Sequence, residues 1–235
     1  AISQMVRNQQ TEYIPQLFQF VQIVFATNKN MAKYATVGTR DKFWSVWKEE
    51  DKDFQEQELT RHITDRIPTE QDRSIVSLFS VSRVMELMRY FILYDAHVKK
   101  ICRHQQYFAI QEIMKTIQQP DEKGNRQSGV IWHTQGSGKT ALAYYSVKSL
   151  TDYFAKKNTI AKFYFIVDRI DLMEQATDEF AARGLIVRNA KSRDELMNDI
   201  GNTAITENSD GKLEIMVVNI QKFKEDKKKV KIDGN

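Results

Sequence analysis

Gly129-Val130-Ile131-Trp132-His133-Thr134-Gln135-Gly136-Ser137-Gly138-Lys139-Thr140 is the stretch whose reading decides the fold. A short apolar run, Val130 to Trp132, reads as a strand and leads into a turn of small residues that opens a helix at Lys139. Small residues let successive backbone N–H groups curl around a polyphosphate, and the positive end of the new helix faces the same anion. In such a loop Gly136, Ser137 and Gly138 supply main-chain donors, Lys139 reaches the β- and γ-phosphates, and the Thr140 hydroxyl holds Mg²⁺ through the nucleotide. The full pattern asks for glycine five residues before the Gly-Lys pair, where His133 stands; what remains is the shorter form seen in helicase-type motors. A chance Gly-Ser turn is the alternative, and the order strand, loop, helix argues against it.

Working outward, Phe163–Val167 reads as a strand, Leu172–Phe180 as a helix, Leu185–Val187 as a strand and Leu213–Ile220 as another. Ser192-Arg193-Asp194-Glu195 is a capping box ahead of a short helix, and Lys139–Phe154 continues the helix opened by the loop. Strands alternating with helices indicate a parallel sheet covered on both faces. With a phosphate loop on its first strand, this α/β pattern predicts a RecA-like lobe.

Before the loop the pattern differs. Ile2, Met5 and Val6 fall at helical spacing with no cap ahead of them, so the start reads as the middle of an element and the chain as a fragment. Phe20–Thr27 reads as a buried strand, with Met31–Gly38 returning as a hairpin. Phe43, Trp44 and Trp47 form an aromatic cluster expected to pack in a core or domain seam. Lys48–Asp53 is a run of mixed charge, the signature of a solvated linker or helix face. Ser74–Lys100 is helical in pattern, and a helix over Gln105–Ile117 breaks at Pro120.

The 235 residues allow one large domain or two small ones. Hydrophobic content of 41% and charged content of 28% are ordinary for a globular protein. No apolar run nears the roughly 20 residues that cross a bilayer, and nothing reads as a signal peptide. The single cysteine, Cys102, excludes an internal disulfide and fits a reducing compartment; no membrane association is expected, and the cytoplasm is the expected location. A net charge of +4 is compatible with nucleic-acid binding without establishing it.

Three further runs accompany the loop: Cys102-Arg103-His104-Gln105-Gln106-Tyr107-Phe108-Ala109, Phe165-Ile166-Val167-Asp168-Arg169-Ile170-Asp171-Leu172, and Asn219-Ile220-Gln221-Lys222-Phe223. In this order, and with Trp-His-Thr-Gln-Gly-Ser-Gly-Lys-Thr between the first two, they resemble the R (motor) subunit of type I restriction enzymes. The resemblance implies a fold in which a PD-(D/E)xK nuclease domain precedes two RecA-like lobes of a superfamily-two helicase. It implies residues 1–55 as the C-terminal part of the nuclease domain, 56–100 as a helical linker and 101–235 as an incomplete first lobe. It also implies ATP and Mg²⁺ as cofactors, double-stranded DNA as substrate, and modification (methyltransferase) and specificity subunits as partners. The parent activity would be that of an ATP-dependent type I site-specific deoxyribonuclease, with this segment alone inactive.

Residue by residue, the resemblance places Gln106 in the glutamine motif that reads adenine, which suits a carboxamide that both donates and accepts, with Arg103 or Tyr107 stacking on the base. Asp168 and Arg169 fall in a motif facing the DNA backbone, although Asp168 alternatively caps the following helix. Gln221 and Lys222 fall in the next DNA-facing motif, where Asn219 replaces the usual threonine. Gln4 falls on the accessory Gln-x-x-x-Tyr motif of the nuclease, with Asn8 in place of tyrosine. The nuclease carboxylates would precede Ala1, and the acidic ATPase pair would follow Asn235. Pro120-Asp121 reads as a turn, and the lysines of 222–231 as either a DNA-tracking tail or a solvated one. The rival readings are a superfamily-two helicase or remodeller without nuclease activity, and a non-catalytic nucleotide-binding assembly module.

Overall fold

The computed structural model describes residues 1–134, 136–190, 192–201 and 213–223. They belong to two compact units, Ala1–Phe108 and Ala109–Asn235. No described helix is long and apolar enough to cross a membrane.

The first unit opens with α1 (Ile2–Asn8) and the single turn α2 (Pro15–Phe18). The strands β1 (Val24–Asn28) and β2 (Met31–Ala35) pair antiparallel, with Val24 opposite Ala35. The Asn28 side chain accepts the N–H groups of Asn30 and Met31, which closes the hairpin turn. β1 is shorter than the expected strand over Phe20–Thr27, and Phe20 is exposed. Since β2 ends at Ala35, residues 20–23 have no strand to pair with among the described residues. Phe18, Val24, Ala26, Ala35 and Trp44 form one core cluster, against which Ile2, Met5 and Val6 of α1 pack.

Three helices follow: α3 (Lys52–His62), α4 (Glu70–Phe79) and α5 (Val81–Tyr90). Asp51 caps α3 by accepting the Phe54 N–H, and Thr69 with Asp72 forms a reciprocal capping box on α4. Leu78 and Leu87 have no exposed surface, and burial on this scale stabilises by about 1.5–3 kcal/mol per side chain. The helical pattern expected to run from Ser74 to Lys100 stops at Tyr90. Beyond it β3 (Ile92–Asp95) and β4 (Val98–Ile101) make an antiparallel hairpin. Its two-residue loop places Ala96 and His97 at φ 46° and 65°, the twist that a two-residue hairpin requires. Trp44 and Trp47 are buried as expected, whereas Phe43 is exposed. The expectation of a solvated run at Lys48–Asp53 fails at Glu49, whose side chain is enclosed against Arg83. Helix α6 (His104–Ile117) then leads from the first unit into the second.

In the second unit Pro120 and Arg126 face each other across a turn in which the Asp121 carboxylate accepts the N–H groups of Lys123 and Asn125. The remaining elements are α7 (Lys139–Ala155), β5 (Tyr164–Val167), α8 (Ile170–Ala182), β6 (Ile186–Asn189), α9 (Arg193–Gly201) and β7 (Glu214–Asn219). The three strands are parallel in the order β5-β7-β6. Successive side chains of β7 point to opposite faces. Met216 and Val218 pack with Leu196 of α9, while on the α8 side Phe165 meets Phe180 edge-on at 5.2 Å. Central β7 is buried along nearly its whole length, as a strand covered on both faces must be. The helix–strand alternation of the sequence is thus present as an α/β layer with a parallel sheet. The strand expected at Val130–Trp132 is not. No described strand pairs with it, and Val130 and Trp132 are 93% and 89% exposed; without a hydrogen-bonded neighbour an apolar run has no ladder to join.

Candidate nucleotide-binding site

The glycines of the loop are used for their conformational freedom. Gly136 has φ +75° with nothing within 4 Å of the position a Cβ would take. Gly138, at φ +84° and ψ 44°, is the left-handed N-cap of α7, a conformation that costs other residues roughly 1–2 kcal/mol. Between them the Ser137 hydroxyl donates to the Thr134 carbonyl at 2.7 Å, and the Ser137 N–H donates to the same oxygen at 3.3 Å. Glycine at the N-cap brings no side chain to the first turn of α7. The helix therefore starts with N–H groups that lack an intrahelical partner, which is the setting that favours an anion. Gly136, Gly138 and Lys139 are exposed and Thr140 is half-buried. The Lys139 ammonium folds back on the loop and donates to the Thr134 carbonyl at 3.3 Å. Gln135 lies outside the described residues.

The sequence-predicted DNA contacts come together in part. Val167, the last residue of β5, is in register with Asn219, the last of β7. Asp168 and Arg169 therefore leave the sheet beside Ile220 and Gln221 at its carboxyl edge, where open parallel sheets bind ligands. All four are exposed. Asp168 does not cap α8: the N-cap position is held by Arg169, whose side chain makes no cap hydrogen bond. Arg169 instead holds Asp171 in a forked ion pair at 3.0 and 2.5 Å. Hydrogen bonding from the guanidinium keeps the Asp171 carboxyl below its ordinary range. Asn219 is buried; its Oδ1 accepts the Gln221 N–H at 2.8 Å, and its Nδ2 has no partner among the described residues. The side chain of Lys222, and Lys224, Lys227, Lys228, Lys229 and Lys231, lie outside the described residues.

Residues 105–234, more than half of the chain, match the SWI2/SNF2 ATPase family. The chain belongs to the SWI2/SNF2 ATPase family. Among its curated relatives are endonuclease subunits of type I restriction enzymes. The HindI endonuclease subunit of Haemophilus influenzae is 26% identical over 209 residues, 82% of this chain and 19% of the relative. The MjaVIIP endonuclease subunit of Methanocaldococcus jannaschii is 34% identical over 116 residues, 46% of this chain and 11% of that protein. A type I endonuclease subunit of Staphylococcus aureus strain COL is 35% identical over 95 residues, 40% of this chain and 9% of the relative. The chain thus spans less than a fifth of the length of these relatives.

The region shared with SWI2/SNF2 ATPases begins at the first turn of α6. There Gln106 is buried, and its Oε1 accepts the Arg103 N–H at 3.0 Å, one half of a capping box. Arg103 is exposed. Tyr107 is not available for stacking on a base: it is buried against Phe91, Trp47 and Phe108, and its hydroxyl donates to Glu86 at 2.5 Å. Burial pushes its phenol well above the ordinary value. Gln4 is exposed on α1, whereas Gln9, one turn after Met5, accepts the Gly38 N–H at 2.7 Å, three residues beyond β2. Nothing in an isolated arginine or a charge run signals the burial found at Arg83 and Glu49.

Proposed function

We propose that this chain is the nucleotide-binding part of an ATP-dependent DNA translocase and endonuclease of a type I restriction–modification system. The observation that carries the reading is the exposed loop of Gly136, Ser137 and Gly138, with two left-handed glycines at the head of α7, in a SWI2/SNF2 ATPase chain whose relatives are type I endonuclease subunits. A Cβ at Gly136 would meet nothing within 4 Å, so the loop leaves open space on that side, as the reading requires. Lys139 would bind the β- and γ-phosphates, Thr140 would hold the nucleotide's Mg²⁺, and Gln106 would meet the adenine edge. Mg²⁺, when bound, neutralises charge on the phosphate oxygens. Asp168, Arg169, Gln221 and Lys222 are the proposed DNA-facing residues, and Gln4 an accessory residue of the nuclease. Residues 1–55 would end a nuclease domain, 56–100 link it, and 101–235 form most of the first motor lobe, in a cytoplasmic complex with modification and specificity subunits.

ATP turnover by the full-length protein with its partners tests this, with and without duplex DNA. DNA-stimulated hydrolysis that disappears in Lys139→Ala is expected. Hydrolysis indifferent to that substitution would refute the assignment of the loop.

A further inference from the structure

The most unusual buried group in the first unit is an ion pair. Arg83 of α5 is 6% exposed in its side chain, and the carboxylate of Glu49 is fully enclosed. Nη1 donates to Glu49 Oε2 at 3.0 Å, and the same carboxylate accepts the Trp47 indole N–H at 2.9 Å and the Asp51 N–H at 3.1 Å. Ring faces enclose the guanidinium: its carbon lies 4.5 Å from the ring centre of Tyr107, 4.8 Å from Phe54, 5.4 Å from Trp47 and 5.6 Å from Phe108.

Buried ion pairs add little to stability compared with apolar side chains of equal volume; their best-attested use is to fix register. Here the register belongs to α6. Tyr107 and Phe108 directly follow Gln106 on its first turns, and α5 holds Tyr107 twice, by Arg83 on the ring face and by Glu86 at the hydroxyl. Because the Gln106 oxygen is bonded to the Arg103 N–H of the same turn, any tilt of that turn re-aims the carboxamide.

We propose that Arg83 is a positioning residue for base recognition: through Tyr107 and Phe108 its guanidinium fixes the first turn of α6, and with it the aim of the Gln106 carboxamide. This rests on the assignment of Gln106 to the adenine edge. A planar guanidinium stacked between rings does this in a way that lysine, a compact point charge, does not.

The test compares the full chain with Arg83→Met/Glu49→Gln, in which no charge is left unpaired, and with Arg83→Lys. Affinities for ATP, CTP and inorganic tripolyphosphate are measured with Mg²⁺. The double variant should bind tripolyphosphate within about twofold of wild type while its preference for ATP over CTP falls about tenfold, as for one misaligned hydrogen bond. Arg83→Lys should lose preference in the same direction. A folded variant that keeps the wild-type preference overturns the proposal. If the double variant fails to fold, Tyr107→Phe, which removes only the hydroxyl anchor, must lower the preference in its place, and an unchanged preference overturns the proposal equally. A wild-type chain that binds neither ATP nor tripolyphosphate defeats the nucleotide reading itself. One that binds ATP and CTP alike defeats the role of Gln106, and Arg83's with it.

Discussion

Gly136 and Gly184 make a matched pair for testing what the loop does. Gly136 stands in the loop at φ +75° and Gly184 follows α8 at φ +86°, and a Cβ at either would meet nothing within 4 Å. Substitution by alanine therefore brings no clash at either site, only the strain of a left-handed backbone, about 1–2 kcal/mol. The two differ in what holds them. The Gly184 N–H is bonded to the Ala181 carbonyl at 2.9 Å and the next N–H, of Leu185, to Phe180 at 3.1 Å, so the helix end cannot rotate away from the strain. Gly184→Ala should lose roughly 1–2 kcal/mol of stability with ATP affinity unchanged. The exposed loop at Gly136 can relax by turning its peptide planes, which spares stability but turns N–H groups away from the phosphates. A hydrogen bond to a charged group contributes about 1.5–3 kcal/mol, so Gly136→Ala should weaken ATP binding by about 10- to 100-fold. Urea unfolding and calorimetric ATP titration of the two variants read the two effects separately. Equal ATP affinities in the two variants would refute the assignment of the loop amides to phosphate.

Two other substitutions probe the first unit. Arg83→Met alone strands the Glu49 carboxylate and should cost about 3–5 kcal/mol, while the added Glu49→Gln recovers most of it; unfolding followed by Trp44 and Trp47 fluorescence in a Trp132→Phe background checks this, and simple additivity of the two changes would contradict it. His104 is held below its ordinary value of 6.5 by burial and then by the charge of Lys48, against the Val46 backbone hydrogen bond and Glu49. Its folded-state value is thus the lower one, so the unfolded chain takes up the proton first: stability should fall as pH drops below about 6.5 and stay flat above it, as far as this group contributes. His104→Asn should flatten that acid-side slope in a melting series, and an unchanged slope would place its origin elsewhere.

The residues that were legible in the sequence are those whose role is local. Glycine at 136 and 138 states a backbone conformation outright, Ser192 marks a helix start, and the apolar runs at 164–167 and 214–219 are strands because each finds parallel neighbours on the sheet. What escaped depends on distant partners. The β3–β4 hairpin turns at Ala96-His97, with none of the Asn-Gly chemistry that announces such a turn, and the spacing of Val84, Leu87, Met88 and Phe91 continues a helix plausibly into it. Phe20 and Val130–Trp132 have the composition of strands without a described partner, and composition alone does not make a ladder. At the candidate site the loop was readable, but the burial of Tyr107, the enclosure of Glu49 and the start of α8 after Arg169 rather than Asp168 rest on contacts between segments far apart in sequence or on the chain's path at a turn.

The measurement closest to the central claim is equilibrium binding of Mg·ATP to the wild-type chain and to Lys139→Ala. Lys139 is exposed and bonded only within its own loop in what is described, so the substitution should leave the melting temperature unchanged. A loop that grips the phosphates predicts saturable binding weakened at least about tenfold by the loss of the ammonium. Binding of equal strength in both proteins, or none in the wild type, would contradict the account.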